Sequence, residues 1–280
     1  MRHGIVLFTS DRGITPAQAA VAAERAGFSS FYVPEHTHIP VRRESPHPGT
    51  GDSSLPDDRY SRTLDPWVAL ATAASLTSRI RLATAVALPV ESDPITLAKT
   101  IASLDHLSGG RVTLGVGFGW NVDELTDHRV PAKRRRTVLR EYLEAMRTLW
   151  GAEEAAYQGE FISFGPSWAW PKPVQPRLPV LLGAGGTEKN FAWITKHADG
   201  WITTPSEVDI DAQVAQLRAM WRDAGRAGEP EIAALGGRPD PDRLAHLAAL
   251  GVTETIFGLP DRPADEVTAW ITRLAGKLGH

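Results

Sequence analysis

The chain has 280 residues, 42% of them apolar, a formal charge of −3 and no cysteine. The missing cysteine excludes disulfides, thiolate metal centres and a cysteine nucleophile, and the charge argues against a nucleic-acid partner. No apolar run reaches the ~18 residues that cross a bilayer, and the start of the chain lacks the apolar stretch and cleavage pattern of a signal peptide, so a cytoplasmic protein without a membrane partner is expected.

Strand-length apolar runs alternate with amphipathic stretches from end to end. Residues 5–8 form the first strand. Thr15-Pro16 opens a helix, with a hydroxyl cap and a proline in the first turn, and Gly27 stops it. Strand two covers 30–33. A loop over 34–64, rich in Pro, Gly, Ser and charge, follows it. Asp65-Pro66 starts a helix that ends near Leu76. Strand three covers 80–88, and Asp93-Pro94 caps a helix running to His106. Strand four covers 112–116, and a helix with a basic start runs from about Lys133 to Trp150. Residues 151–178, broken by Gly159, Gly165, Pro166, Pro171, Pro173 and Pro176, read as irregular. Strands five to eight cover 179–183, 200–203, 231–235 and 254–257. Helices follow each of them, over 187–198, 209–224, 241–250 and 264–277.

Eight strand–helix units imply parallel strands joined by crossover helices. In this length they predict an α/β fold, a closed (β/α)8 TIM barrel spanning 1–280 as a single domain, with insertions after strands 2 and 4. No G-x-G-x-x-G follows the first strand and no G-K-[ST] occurs, so the phosphate signatures of an open doubly wound sheet are missing.

In such a barrel the chemistry sits where strands end at their C-terminal side. The candidates there are Thr9 and Ser10; Glu35, His36 and His38; Glu91 and Asp93; Gly117 to Asn121; Gly185, Gly186 and Thr187; and Thr204 and Ser206. His36 is the most reactive-looking, because imidazole changes charge near neutral pH. His-x-His is also a metal-ligand spacing, but His106, His128, His197 and His246 fall on helices or loops, so no metal site is expected. Gly185-Gly186-Thr187 joins strand five to a helix N-terminus, where backbone N–H groups receive anions; an ordinary capped turn reads as well. Gly117 and Gly119 leave room for a flat ring or a phosphate, or simply pack tightly. Lys133 to Arg136 is a charge run, read as a solvated helix start or an anion contact. Most of the nine tryptophans, Trp120 and Trp270 among them, read as core, while Trp168 and Trp170 lie on a loop suited to line a pocket.

Together these residues resemble the bacterial luciferase-like monooxygenase family, in particular its branch dependent on the deazaflavin coenzyme F420. The resemblance rests on Ala26-Gly27-Phe28 with Val33-Pro34-Glu35-His36, and on Arg62-Thr63-Leu64-Asp65-Pro66-Trp67. It continues through Ala98-Lys99 and Ser103 to Arg111, Gly115 to Asn121, Trp170 to Gln175, and Ala198-Asp199-Gly200-Trp201. It covers nearly the whole chain, and FMN-using members share most of it. Val90-Glu91 departs from the pattern of many relatives, in a place that contacts the cofactor's polar tail.

The resemblance implies a barrel with an insertion before strand five and a flat ring lying in its mouth. It implies a non-prolyl cis peptide at Ala85-Val86 beneath the ring, a phosphate on Gly185, Gly186 and Thr187, and His36 at the ring's reactive edge. Thr9, Ala85, Val86, Gly117 and Gly119 complete the expected cofactor-binding set. The expected activity is hydride transfer between F420 and a small organic substrate; the alternative is an FMN-dependent monooxygenase fed by a partner reductase. His36 is the expected proton carrier, and Glu35 orients it or caps the loop. A homodimer served by a separate F420 or flavin reductase completes the expectation.

Overall fold

The computed structural model describes residues 1–203 and 209–280. Its strands are β1 (Arg2–Val6), β2 (Ser30–Val33), β3 (Arg81–Thr84), β4 (Val112–Val116), β5 (Ala155–Gln158), β6 (Ser163–Ser167), β7 (Val180–Gly183), β8 (Gly200–Ile202), β9 (Glu231–Leu235) and β10 (Glu254–Gly258). Eight of them close into a parallel barrel in the order β1-β10-β9-β8-β7-β4-β3-β2, and β5-β6 is a separate antiparallel pair. β1 closes the ring on β10, with Ile5 opposite Phe257. The helices are α1 (Pro16–Arg25), α2 (Pro66–Leu76), α3 (Pro94–Ser108), α4 (Val122–Asp127), α5 (Arg135–Gly151), α6 (Glu188–His197), α7 (Ile210–Asp223), α8 (Pro241–Leu250) and α9 (Ala264–Leu278). The (β/α)8 barrel is as the sequence predicts.

Local chemistry sets where the helices begin. Thr15 accepts from Gln18 N–H at 3.3 Å while the Gln18 side chain reaches back to Thr15 N–H, a reciprocal cap. Asp65, Asp93 and Asp240 each accept from a first-turn N–H just ahead of a proline. Each such cap contributes about 1 kcal/mol. Successive strand residues then divide between two layers. Tyr32, Ala83, Leu181, Ile202, Ala233 and Ile256 fill the barrel interior. Their neighbours Phe31, Leu82, Leu182, Trp201, Ile232 and Phe257 face the helices.

Several boundaries differ from the sequence reading. β1 runs over Arg2–Val6 rather than 5–8, because Arg2 is held by Glu231 and lies 3.5 Å from Glu254 on the barrel floor, which brings polar residues into the ladder. β3 stops at Thr84 because the Ala85–Val86 peptide is cis and redirects the chain, and a 3-10 turn over Pro89–Glu91 follows. The 151–178 stretch contains the β5–β6 hairpin, whose strands are too polar and too broken by Gly and Pro to read as strands. α5 starts at Arg135, after a 3-10 turn over Ala132–Arg134. The six-residue helix α4 is shorter than any periodicity signal and was not foreseen in the sequence. Thr204 and Ser206, named as strand-end candidates, lie outside the described residues.

Candidate active site

A mostly apolar cavity of about 970 Å³ opens at the C-terminal end of the barrel. That is the upper end of the ~300–1,000 Å³ typical of small-molecule and cofactor sites. Ala85 and Val86 line it from just after β3, Glu35 and His36 from just after β2, and His47 and Tyr60 from the long loop. Trp120 and Trp270 line it too, although the sequence suggests core for both. Trp168 and Trp170 are 76% and 58% exposed and belong to another face, Trp170 under the Lys172 ammonium. An aromatic loop near the insertion is therefore not the pocket wall here.

The chain reaches this geometry through three tethers on the loop. Leu64 N–H donates to Thr9 Oγ1 at 3.1 Å, and Thr63 Oγ1 donates to the His36 carbonyl at 2.9 Å. Ser45 Oγ donates to Asp123 at 2.7 Å, pinning the loop's middle to α4. Thr9, expected to touch cofactor, is buried and serves as one of these anchors.

His36 Nδ1 lies 2.9 Å from Glu124 Oε2, and the Glu124 side chain is fully buried. Glu124 also accepts from Thr37 N–H at 3.2 Å and from Asn121 Nδ2 at 3.4 Å. Asn121 caps α4, so the missed helix is what delivers the carboxylate. The expectation that Glu35 orients His36 is corrected. Glu35 instead accepts from Leu88 N–H at 2.6 Å, and its own N–H donates to the Val86 carbonyl at 3.1 Å. It ties the end of β2 to the segment after the cis peptide, which is the loop-capping alternative.

Three carboxyl groups share this region. Burial pushes Glu35 up to about 7, aided by Asp65 and Glu124 and opposed by the Leu88 hydrogen bond. Burial, then the charges of Glu124 and Glu35, push Glu91 up to about 9. Its two oxygens have no hydrogen-bond partner among the described residues, and His128 Nε2 is 4.0 Å away. A pKa raised in this way favours the protonated form of the Glu91 carboxyl at neutral pH.

The two predicted glycines after β4 serve packing rather than an open cradle. A Cβ on Gly117 would stand 2.7 Å from Val86 Cγ2, so Gly117 makes room for the side chain after the cis bond. Gly119 has φ +78° and faces Leu125 of α4. Both support the site from behind. Gly185, Gly186 and Thr187 lie at the end of β7, away from the cavity lining, and Thr187 caps α6 by accepting from Asn190 N–H at 3.3 Å. A Cβ on Gly186 would meet Gln213 Cδ at 2.5 Å.

Of the basic run Lys133 to Arg136, Arg136 stands beside that loop. Its guanidinium lies 4.2 Å over the Phe118 ring, and Nη2 donates to Asn190 Oδ1 at 2.6 Å. Asn190 Nδ2 in turn donates to the Gly185 carbonyl at 2.7 Å. Arg136 Nη1 is buried without a hydrogen-bond partner among the described residues. The basic run was the available signal, since cations oppose a helix N-terminus unless something else holds them. The strand ends thus surround an apolar cavity, and apart from its lining, beside the α6 N-terminus, stands a guanidinium N–H with no partner among the described residues.

The barrel, the cis peptide and the His36–Glu124 pair define a class that comparison makes explicit. Residues 15–238 match the luciferase-like monooxygenase family, and the chain belongs to it. The chain is 70% identical over 278 residues to an uncharacterized protein of Mycobacterium tuberculosis, covering 99% of each. It is 29% identical over 230 residues to the F420-dependent hydroxymycolic acid dehydrogenase of the same organism, covering 80% of this chain and 58% of the relative. A solved monooxygenase from Streptomyces bottropensis superposes with a TM-score of 0.77 at 24% identity, over 99% of this chain and 98% of that one. No helix among the described residues is long and apolar enough to cross a membrane.

Proposed function

We propose that this chain is an F420-dependent oxidoreductase passing hydride between F420 and a small organic substrate. The carrying observation is His36, whose Nδ1 is tied to buried Glu124 while its ring lines an apolar cavity floored by Ala85 and Val86. The F420-dependent relative at 29% identity supports the deazaflavin over FMN. When bound, F420 supplies a ring carbon that accepts or returns a hydride.

Every other part of the task falls to the chain. Ala85 and Val86 would underlie the ring, and Arg136 with the α6 N-terminus would take the anionic end. Nδ1–H of His36 donates to the Glu124 carboxylate, so the neutral ring keeps its lone pair at Nε2. Nε2 takes the proton that the substrate sheds as its hydride leaves, and returns it in the opposite direction. Glu124 stabilises the imidazolium formed in between. Glu35 holds the segment after β3 in place. The long loop, tethered at Thr9, His36 and Asp123, excludes water.

In the direction of substrate reduction, this reading takes reduced cofactor from a separate F420 reductase. It also pairs two copies of the chain, since α2 carries no charged residue while Val68 and Leu76 on it are each 64% exposed. Titration with F420 and FMN in parallel, followed by fluorescence quenching, tests the cofactor. Tight F420 binding with weaker FMN binding is expected. A preference for FMN, with oxygen consumed when reduced FMN is supplied, assigns the chain to flavin monooxygenation instead.

A further inference from the structure

The long loop brings a second pair of polar side chains to the cavity wall beside His36. Gly49 N–H donates to His47 Nδ1 at 3.0 Å. A nitrogen that accepts carries no proton, so the hydrogen of a neutral His47 sits on Nε2. That Nε2 lies 2.9 Å from the Tyr60 hydroxyl oxygen. His47 therefore donates and Tyr60 accepts. Burial and the nearby His36 lower the His47 pKa, in keeping with the neutral form. Burial raises that of Tyr60, which keeps its phenol proton.

A hydroxyl that accepts from His47 has its own proton left over. No acceptor for it occurs among the described residues, and Tyr60 lines the same cavity as His36. The two rings stand 5.4 Å apart, centroid to centroid. Packing holds Tyr60 in this place: Phe8 lies 4.7 Å from its ring, His47 5.0 Å edge-on, and Trp120 6.5 Å. Its backbone is fixed in a 3-10 turn over Asp58–Ser61 that Asp57 caps.

We propose that Tyr60 is a substrate-binding catalytic residue that donates a hydrogen bond to the reacting oxygen of an alcohol or carbonyl substrate, with His47 positioning it. His36 Nε2 is an acceptor and the Tyr60 O–H is a donor, side by side on one wall. An alcohol satisfies both at once, giving its proton to Nε2 while its oxygen accepts from Tyr60. As hydride leaves the carbinol carbon and the proton passes to Nε2, the oxygen becomes a carbonyl and still accepts from Tyr60. In reverse, the Tyr60 bond stabilises negative charge growing on that oxygen until His36 returns the proton. A thioether or an alkane offers neither contact. The inference rests on the proposed hydride-transfer reading and adds to it the residue that holds the reacting oxygen.

The test uses 4-(dimethylamino)benzaldehyde, whose absorption moves to the red when its carbonyl oxygen accepts a hydrogen bond. Added to the full-length protein without cofactor, it is expected to bind and shift red. Tyr60→Phe should still bind it and lose the shift. His47→Gln, which keeps one donor and one acceptor, should retain most of the shift, and His47→Leu should lose it in a protein with unchanged circular dichroism. With F420 present, Tyr60→Phe should lower kcat/KM for alcohol oxidation by ~10²–10³-fold, the usual effect of removing one donor to a charged oxygen. Cofactor affinity should stay unchanged. No binding of the aldehyde, an unshifted wild-type spectrum, or an equal shift in Tyr60→Phe overturns the proposal. Failure of F420 to bind while the Tyr60-dependent shift persists would remove the cofactor assignment and leave the oxygen-binding pair standing.

Discussion

Buried carboxylates occur at both ends of this barrel, and they are partnered in opposite ways. At the N-terminal end Glu254 is 1% exposed, accepts from the Tyr32 hydroxyl at 2.9 Å, and lies 3.5 Å from Arg2. Its partners are a permanent cation and a phenol whose pKa burial raises well above its usual value. At the C-terminal end Glu124 faces an imidazole, Glu91 has no hydrogen-bond partner among the described residues, and Glu35 sits near neutrality. A guanidinium never gives up its proton near pH 7, so the first cluster is a fixed brace. An imidazole is able to exchange its proton there, so on the proposed reading the second takes one up and releases it. Barrel enzymes place chemistry at the C-terminal ends of strands and stability at the other, and the two clusters divide accordingly.

The largest effect that can break this comparison is at His36. His36→Ala should lower turnover by ~100-fold or more, the usual contribution of a positioned acid–base group. Cofactor affinity should change little, while the melting temperature should fall because buried Glu124 loses a hydrogen-bond partner. A near-normal rate in a folded variant would take the histidine out of the mechanism.

Next in size is the loop after β7. Gly186→Asp sets a carboxylate where an anion is expected and displaces the Gln213 side chain, so F420 affinity should fall by roughly tenfold or more while the fold persists. Unchanged quenching curves would place the anionic end of the cofactor elsewhere.

The floor cluster should behave the other way. Glu254→Gln leaves Arg2 with Glu231 alone and should cost about 1–3 kcal/mol of stability, read from denaturant midpoints, with the rate per folded molecule unchanged. A loss of rate without a loss of stability would end the division of labour between the two ends.

The smallest effect sharpens the picture at Glu91. Its folded pKa, near 9, lies above the usual carboxyl value, so the stability it contributes is fully present below about 4.5 and is lost as pH rises towards 9. Glu35 adds the same trend up to about 7. Glu91→Gln does not titrate, so its melting temperature should fall less than the wild type's between pH 5 and pH 9. Identical slopes would show that Glu91 is ionised in the native protein.

Much of this molecule was legible because its signals are local. Thr15, Asp65 and Asp93 cap the helices they open, and strands two and four begin and end where apolar content changes. Those features depend on residues within one helical turn or one strand, and a sequence displays them directly. The match to known motifs also pointed to His36 and to the Ala85–Val86 bond, which is cis.

What the tertiary structure alone decided is who partners whom. Glu124 reaches His36 from 88 residues away, on a helix of six residues with no periodicity to announce it. Glu35, adjacent to His36 in sequence, is turned to Leu88, because neighbouring residues at a strand end point to opposite sides. The space that Gly117 leaves goes to Val86, a choice that only the redirected chain after the cis bond could make. Composition determined that a core would form, and the alternation of eight strand–helix units that it would be a barrel. The His36–Glu124 pair, the Arg136–Asn190 contact and the His47–Tyr60 contact required the barrel to close first, since each depends on contacts between distant strand ends and loops.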